Sequence, residues 1–391
     1  MNPIALPLLA LTLGHVFSNA VRTLPAVATD VLTQDLAISA ETLAAITSAF
    51  PAAFAAAMIP VGVGLDRYGV KPVALTLMAI AVVGSALAAL APSAATLLLA
   101  QIVLGIACSG MMMCPMTYAA RAVPQAQFGL WAGLIQGFGN SGMLLTASPL
   151  AWLVEVSGWR AGFWACSVLA LVAFAAVFVT VRHERPAEAT RVSIWQNARE
   201  VMGFALSPRL RGLMALAFVS FGAVLGVRGL WGGPWLMDMK GMSRIEAGHV
   251  LLACTIMLVI GPALVGWLVS RFGHLRRMLV AGHLAAAGFV ILLVLGGPLG
   301  FPPWLDGLLL VLFGGSITFQ ILCFALLRSL VRPEEAGRAL SAQNIFFFGG
   351  AAVLQGVSGM AASVGGVSAA LLTFALALVA GIALFLRWQK A

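Results

Sequence analysis

Arg22, Arg228 and His15 are the residues best placed to do chemistry, because each stands inside a long apolar run of the sequence. A charged side chain within a bilayer is costly, and where one persists it faces a cavity, a partner or a substrate path. A guanidinium presents a planar fork of donors that matches a carboxylate or phosphate in bidentate fashion. Two such forks suit an anion, since no Asp or Glu stands at the centre of any apolar run; Glu155 and Asp306 come nearest. His15 precedes Arg22 by two helical turns and shares its face. A histidine there is the side chain best able to carry a proton near neutral pH. Gln136, Asn140 and Asn344 complete the candidate substrate-binding set, with Gln136 and Asn344 at matching places in the two halves of the chain. The plainer alternatives are that the arginines snorkel to the interface, with Trp231, Trp235 and Lys240 marking that level after Arg228. The amides would then bridge helices, a contact worth about 0.6 kcal/mol.

These residues must be positioned by membrane-spanning helices. Of 391 residues, 61% are hydrophobic and 9% charged, where a soluble domain carries roughly 25% charged residues to wet its surface. Lipid must cover this chain. A span needs about 20 apolar residues, and windows of that kind fall near 4–28, 42–64, 72–92, 95–119, 127–153, 161–181, 210–235, 246–269, 278–297, 304–327, 338–361 and 367–386. The runs are continuous rather than alternating, which excludes an outer-membrane barrel. The expected fold class is therefore an all-α membrane protein of twelve transmembrane helices in two six-helix pseudo-symmetric bundles. Its parts are 1–181, a polar central loop 182–209, and 210–391.

The net charge of +9 follows topology and does not point to nucleic acid. With both termini placed in the cytoplasm, only Arg160, Lys240 and Arg244 fall on the far side, which satisfies the positive-inside rule for an even number of crossings. The N-terminal apolar stretch lacks a basic flank and outruns a signal peptide, so it reads as the first span. Cys108, Cys114, Cys166, Cys254 and Cys323 all lie within spans, and no disulfide framework is expected.

The two halves repeat. Gly62, four variable positions and then Arg67-Tyr68-Gly69 after the second span are echoed by Gly266 and Arg271-Phe272-Gly273 after the eighth. Val21-Arg22-Thr23-Leu24 likewise stands opposite Val227-Arg228-Gly229-Leu230. Two matches in register indicate internal duplication, a common plan of secondary transporters. The run Gly62, Asp66, Arg67, Gly69 and Lys71 resembles the loop signature of the major facilitator superfamily. Val70 replaces a basic residue of that signature, and Ser270 replaces the acid in the second copy. The resemblance implies that this loop is a conformational latch. It also implies that arginines in spans 1 and 7 contact substrate, as in the organophosphate–phosphate antiporter and anion–cation symporter branches. Gln101 stands where many members keep an arginine, and Gly137-Phe138-Gly139-Asn140-Ser141-Gly142 lacks the Gly-Pro-x-x-Gly-Gly of drug–proton antiporters.

The expectation is a secondary active transporter of a small organic anion, a carboxylate or phosphorylated metabolite, working by alternating access. Expected partners are that anion, a coupled proton or counter-anion, and membrane lipid of a bacterial inner membrane, with the protein a monomer and no nucleic acid involved. No enzyme constellation, cofactor site or nucleotide-binding loop is found in the sequence. Two alternatives stay open. One is a proton-coupled exporter of drugs or metabolites. The other is a copper importer using Cys108, Met112 and Met116 of span 4, although Met also packs irregular helix contacts.

Overall fold

The computed structural model describes residues 4–123, 125–147, 149–182, 194–331 and 336–389. Among these residues the ordered structure is helical throughout, with no strand. Such is the expectation for a chain in lipid, where only a helix satisfies its own backbone groups without closing a barrel. Span 1 is Ala5–Val27, followed by a short helix Thr29–Asp35; span 2 is Ala40–Tyr68 and span 3 Val70–Ala89. Span 4 runs Ala94–Cys108 and resumes, after a turn, as Met113–Ala122. Span 5 begins at Gln125–Ala147, and Pro149–Thr180 breaks at Gly158, after which span 6 follows. Span 7 starts at Arg211–Ala223, span 8 is Arg244–Phe272, span 9 Leu275–Leu295, and span 10 Pro303–Ile317 continued by Leu322–Leu330. Spans 11 and 12 share Ala336–Trp388, broken at Gly365–Gly366. Nine helices among the described residues are long and apolar enough to cross a membrane. Spans 1 and 5, with the break at Gly365–Gly366, bring the number of spans to the twelve that the sequence leads one to expect.

The breaks carry the internal repeat into three dimensions. Gly158 has φ 78 and ψ 167, and Gly366 has φ 64 and ψ −162. This region of backbone space is open essentially to glycine alone, so each sixth-span junction depends on having no Cβ.

By packing, the chain forms two compact units: Met1–Leu24 with Ala53–Ala198, and Pro25–Ala52 with Arg199–Ala391. The first unit buries Phe17, Leu11, Leu24 and Phe163, and the second buries Trp235, Phe313, Phe374 and Phe385. In the second unit spans 7 and 11 meet through tilted rings, with Phe221 and Phe348 centroids 4.8 Å apart and their planes at 58°. The central polar segment, expected to be a loop, contains a helix, Ile194–Ala205; residues 183–193 lie outside the described residues.

Candidate substrate-binding site

In span 1 the polar residues line one helical stripe, as the spacing of His15, Asn19 and Arg22 requires. Asn19 is fully buried. Its Nδ2 donates to the Gly139 carbonyl at 3.0 Å and to the His15 carbonyl at 3.1 Å. With the amide nitrogen so engaged, Oδ1 faces Arg22 and accepts from its Nη2. The amide thereby orients the guanidinium. One turn on, Thr23 and Thr146 share a hydroxyl hydrogen bond at 2.6 Å. Span 5 can approach because Gly139 has no side chain: a Cβ there would stand 1.7 Å from His15 Cδ2. Gln136 and Asn140 come together on span 5, with Gln136 Nε2 donating to Asn140 Oδ1 at 3.1 Å.

In span 7 the helix widens. Val224–Trp231 and Trp235–Met239 are wound with the larger turn of a π-helix, a local geometry frequent at functional sites. The cause is legible in Gly226, Gly229 and Gly232-Gly233-Pro234: the glycines tolerate the wider turn, and proline removes an α-helical donor. Arg228 sits in this stretch, 3% exposed. Its Nε donates to Thr255 Oγ1 of span 8 at 2.9 Å. Trp231 donates to Ser358 of span 11 at 2.9 Å, and Trp235 is fully buried. Trp231 and Trp235 therefore pack inside the helix assembly. Asn344 is half-buried on span 11.

The sequence pointed to Arg22, Arg228, His15, Gln136 and Asn140, and the structure joins His15 to Arg22 through Asn19. It missed Asn19, Thr23, Thr146, Thr255 and Ser358. For Asn19 a signal existed, since it lies four residues after His15 and three before Arg22. The others are hydroxyls whose partners stand far off in the chain.

Asp306, in the first turn of span 10, is 0% exposed and 3.0 Å from Lys240 Nζ. Its other oxygen accepts from Trp235 Nε1 at 2.8 Å. Lys240 is also drawn inward, to the carbonyls of Gly296 and Phe301. A charge out of water requires such complete pairing, and the two residues find it although they stand 66 positions apart in the sequence.

The Gly62–Lys71 segment joins spans 2 and 3. Gly62 lies in span 2 near Met113, Gly69 has φ 84, and Arg67 stacks on Tyr68 at 5.4 Å. Lys71 Nζ donates to the Phe178 carbonyl at 2.9 Å, at the end of span 6, where a cation meets the negative end of the helix. The Asp66 side chain lies outside the described residues. In span 4 the helix is interrupted at 109–112, so Cys108, Met112 and Met116 do not follow one continuous α-helical face. Met111 fills the space over Gly14. No group of three His, Cys, Asp or Glu side chains able to hold a metal occurs among the described residues.

Comparison with known proteins agrees with this architecture. Residues 11–355 match the family model of the Major Facilitator Superfamily. NiaP of Bacillus subtilis (strain 168), named for niacin and nicotinamide transport, is 27% identical over 234 residues, covering 58% of this chain and 56% of that protein. The chain thus spans little more than half of that relative's length. The gentisate transporter of Corynebacterium glutamicum is 26% identical over 320 residues, 79% of this chain and 70% of the relative. The tetracenomycin C resistance and export protein of Streptomyces glaucescens is 27% identical over 338 residues, 72% and 61% respectively. The crystal structure of a D-xylose-proton symporter superposes with a TM-score of 0.82 at 15% identity, covering 99% of this chain and 98% of that one. With a family match over most of its length and the fold of solved membrane transporters rather than of an enzyme, the chain belongs to the Major Facilitator Superfamily.

Proposed function

We propose that this protein is a secondary transporter of small organic anions, carboxylates foremost, in a bacterial inner membrane with both termini cytoplasmic. The observation that carries the reading is the pair Arg22 and Arg228. They occupy equivalent places in spans 1 and 7, and each is oriented by a neutral side chain, Asn19 or Thr255. An amide and a hydroxyl orient these guanidiniums, whose planar fork of donors matches a carboxylate in bidentate fashion. His15, Gln136, Asn140 and Asn344 supply further hydrogen bonds, and the Gly62–Lys71 loop serves as the conformational latch. A proton or counter-anion drives the cycle.

The relatives lend support through their names. Gentisate and niacin are both ring carboxylates, while the nicotinamide of the first relative's name is the neutral amide of the same ring. The similarity to the tetracenomycin export protein favours, as a second reading, outward movement of an organic compound. A thermal-shift screen of purified protein with carboxylates, phosphate esters, cationic drugs and Cu(I) tests the class. Stabilisation by carboxylates that vanishes in Arg22→Gln is the expected result. Stabilisation by cations or Cu(I) alone would overturn it.

A further inference from the structure

Three phenylalanines of the second unit meet where spans 7, 10 and 11 come together. Phe347 of span 11 is the centre, 4% exposed. Its ring centroid lies 6.0 Å from that of Phe221 in span 7, with the planes at 67°, and 5.4 Å from that of Phe324 in span 10, at 43°. Phe221 and Phe324 are half-buried, so part of their surface stays open. Arg228 follows Phe221 by seven residues on the same helix, a rise of about 10 Å. A carboxylate held on that guanidinium therefore has its carbon skeleton within reach of the rings.

Two amides flank the cluster. Gln343 precedes Phe347 by four residues and Gln320 precedes Phe324 by four, the spacing at which helical side chains meet. Spans 10 and 11 are consecutive and cross the membrane in opposite directions, so one amide stands on each side of the rings. Gln343 is 0% exposed. Among the described residues neither its Nε2 nor its Oε1 has a hydrogen-bond partner, and the Oε1 of Gln320 also has none. Buried amides are almost always paired, because an unmade hydrogen bond out of water is costly. Packing alone would favour an apolar side chain at 343. A bound molecule with a polar ring substituent meets the need, since an amide donates to a ring nitrogen or accepts from a ring hydroxyl.

We propose that Phe221, Phe324 and Phe347, with Gln320 and Gln343, form a ring-recognition subsite beside Arg228. It makes the protein select flat aromatic acids bearing a polar ring substituent over aliphatic acids of equal charge. It rests on the anion reading and adds to it what the uncharged part of the substrate must be. Aromatic rings attract one another in offset or edge-on arrangements beyond the area they bury, and a saturated ring of the same size has no π-face to offer.

Calorimetry on the purified full chain with benzoate, cyclohexanecarboxylate and 3-hydroxybenzoate tests the subsite. Benzoate should bind tighter than cyclohexanecarboxylate by about two- to tenfold, and 3-hydroxybenzoate tighter than benzoate by about two- to tenfold. Phe221→Leu and Phe324→Leu keep an apolar side chain and should each bring the first ratio toward one. Gln343→Leu should bring the second ratio toward one while the thermal midpoint of the ligand-free protein holds or rises, a pattern that loss of a structural amide would not give. Both ratios are measured first in the parent chain, so a variant that fails to fold leaves the test standing. Acids that bind equally whatever their ring, or ratios that survive these substitutions, would overturn the subsite and leave the anion reading in place. Binding of none of the three acids to the parent chain would overturn the anion reading, and the subsite with it.

Discussion

Replacing Gly139 with alanine should disturb the span 1 site more than a single methyl group suggests. The added Cβ would lie 1.7 Å from His15 Cδ2, 2.6 Å from Cγ and 2.7 Å from Nε2. Carbon atoms settle at about 3.5–4.0 Å, so the imidazole would have to withdraw by roughly 1.8 Å or span 5 would have to back away. Either movement strains the bond from Asn19 Nδ2 to the Gly139 carbonyl, and with it the amide that orients Arg22. Overpacking costs about 1–3 kcal/mol, and a hydrogen bond across membrane helices adds about 0.6 kcal/mol. The expected loss is therefore about 2–4 kcal/mol in reversible unfolding from mixed micelles, with weaker anion binding. The double variant His15→Ala/Gly139→Ala makes room for the methyl group and should recover at least about 1 kcal/mol relative to the sum of the single changes. A single variant as stable as the parent, or strictly additive effects, would refute the steric chain from Gly139 to Arg22.

Other perturbations read other parts of the structure. Asp306→Ala strands the Lys240 ammonium and the Trp235 donor, and should cost about 3–5 kcal/mol, whereas Lys240→Met/Asp306→Leu should be far milder, both measured by unfolding. Thr255→Val removes the partner of Arg228 Nε and should weaken anion affinity by up to about tenfold, as measured by calorimetry, with little change in stability. Gly158→Ala and Gly366→Ala force a side chain into glycine-only backbone space, and each should lower stability by about 1–3 kcal/mol.

Twelve spans, the duplication and the two arginines could be read from the sequence because each is a local signal: an apolar run, a repeated motif, a charge where charge is costly. What stayed hidden depends on contacts between distant residues. Thr255 is one hydroxyl among many in apolar helices until Arg228 is seen beside it. Asp306 follows Pro302-Pro303-Trp304 and looks like a residue of a helix start. Only the inward turn of Lys240 and Trp235 shows it to be buried. The wide turns of span 7 were foreshadowed by its glycines and proline, yet composition alone does not separate a widened helix from a kinked one. The grouping of Pro25–Ala52 with the second unit has no marker in sequence beyond Pro25 and Pro51 at its ends.

Binding of nicotinate and of nicotinamide to the purified protein, compared by calorimetry, tests the anion reading most directly. The two ligands share a ring and differ by a carboxylate against a neutral amide, with gentisate as a second acid. Heat of binding for the acids, none for the amide, and loss of the acid signal in both Arg22→Gln and Arg228→Gln is the expected result. Equal binding of nicotinate and nicotinamide, or acid binding that survives both arginine replacements, would contradict it.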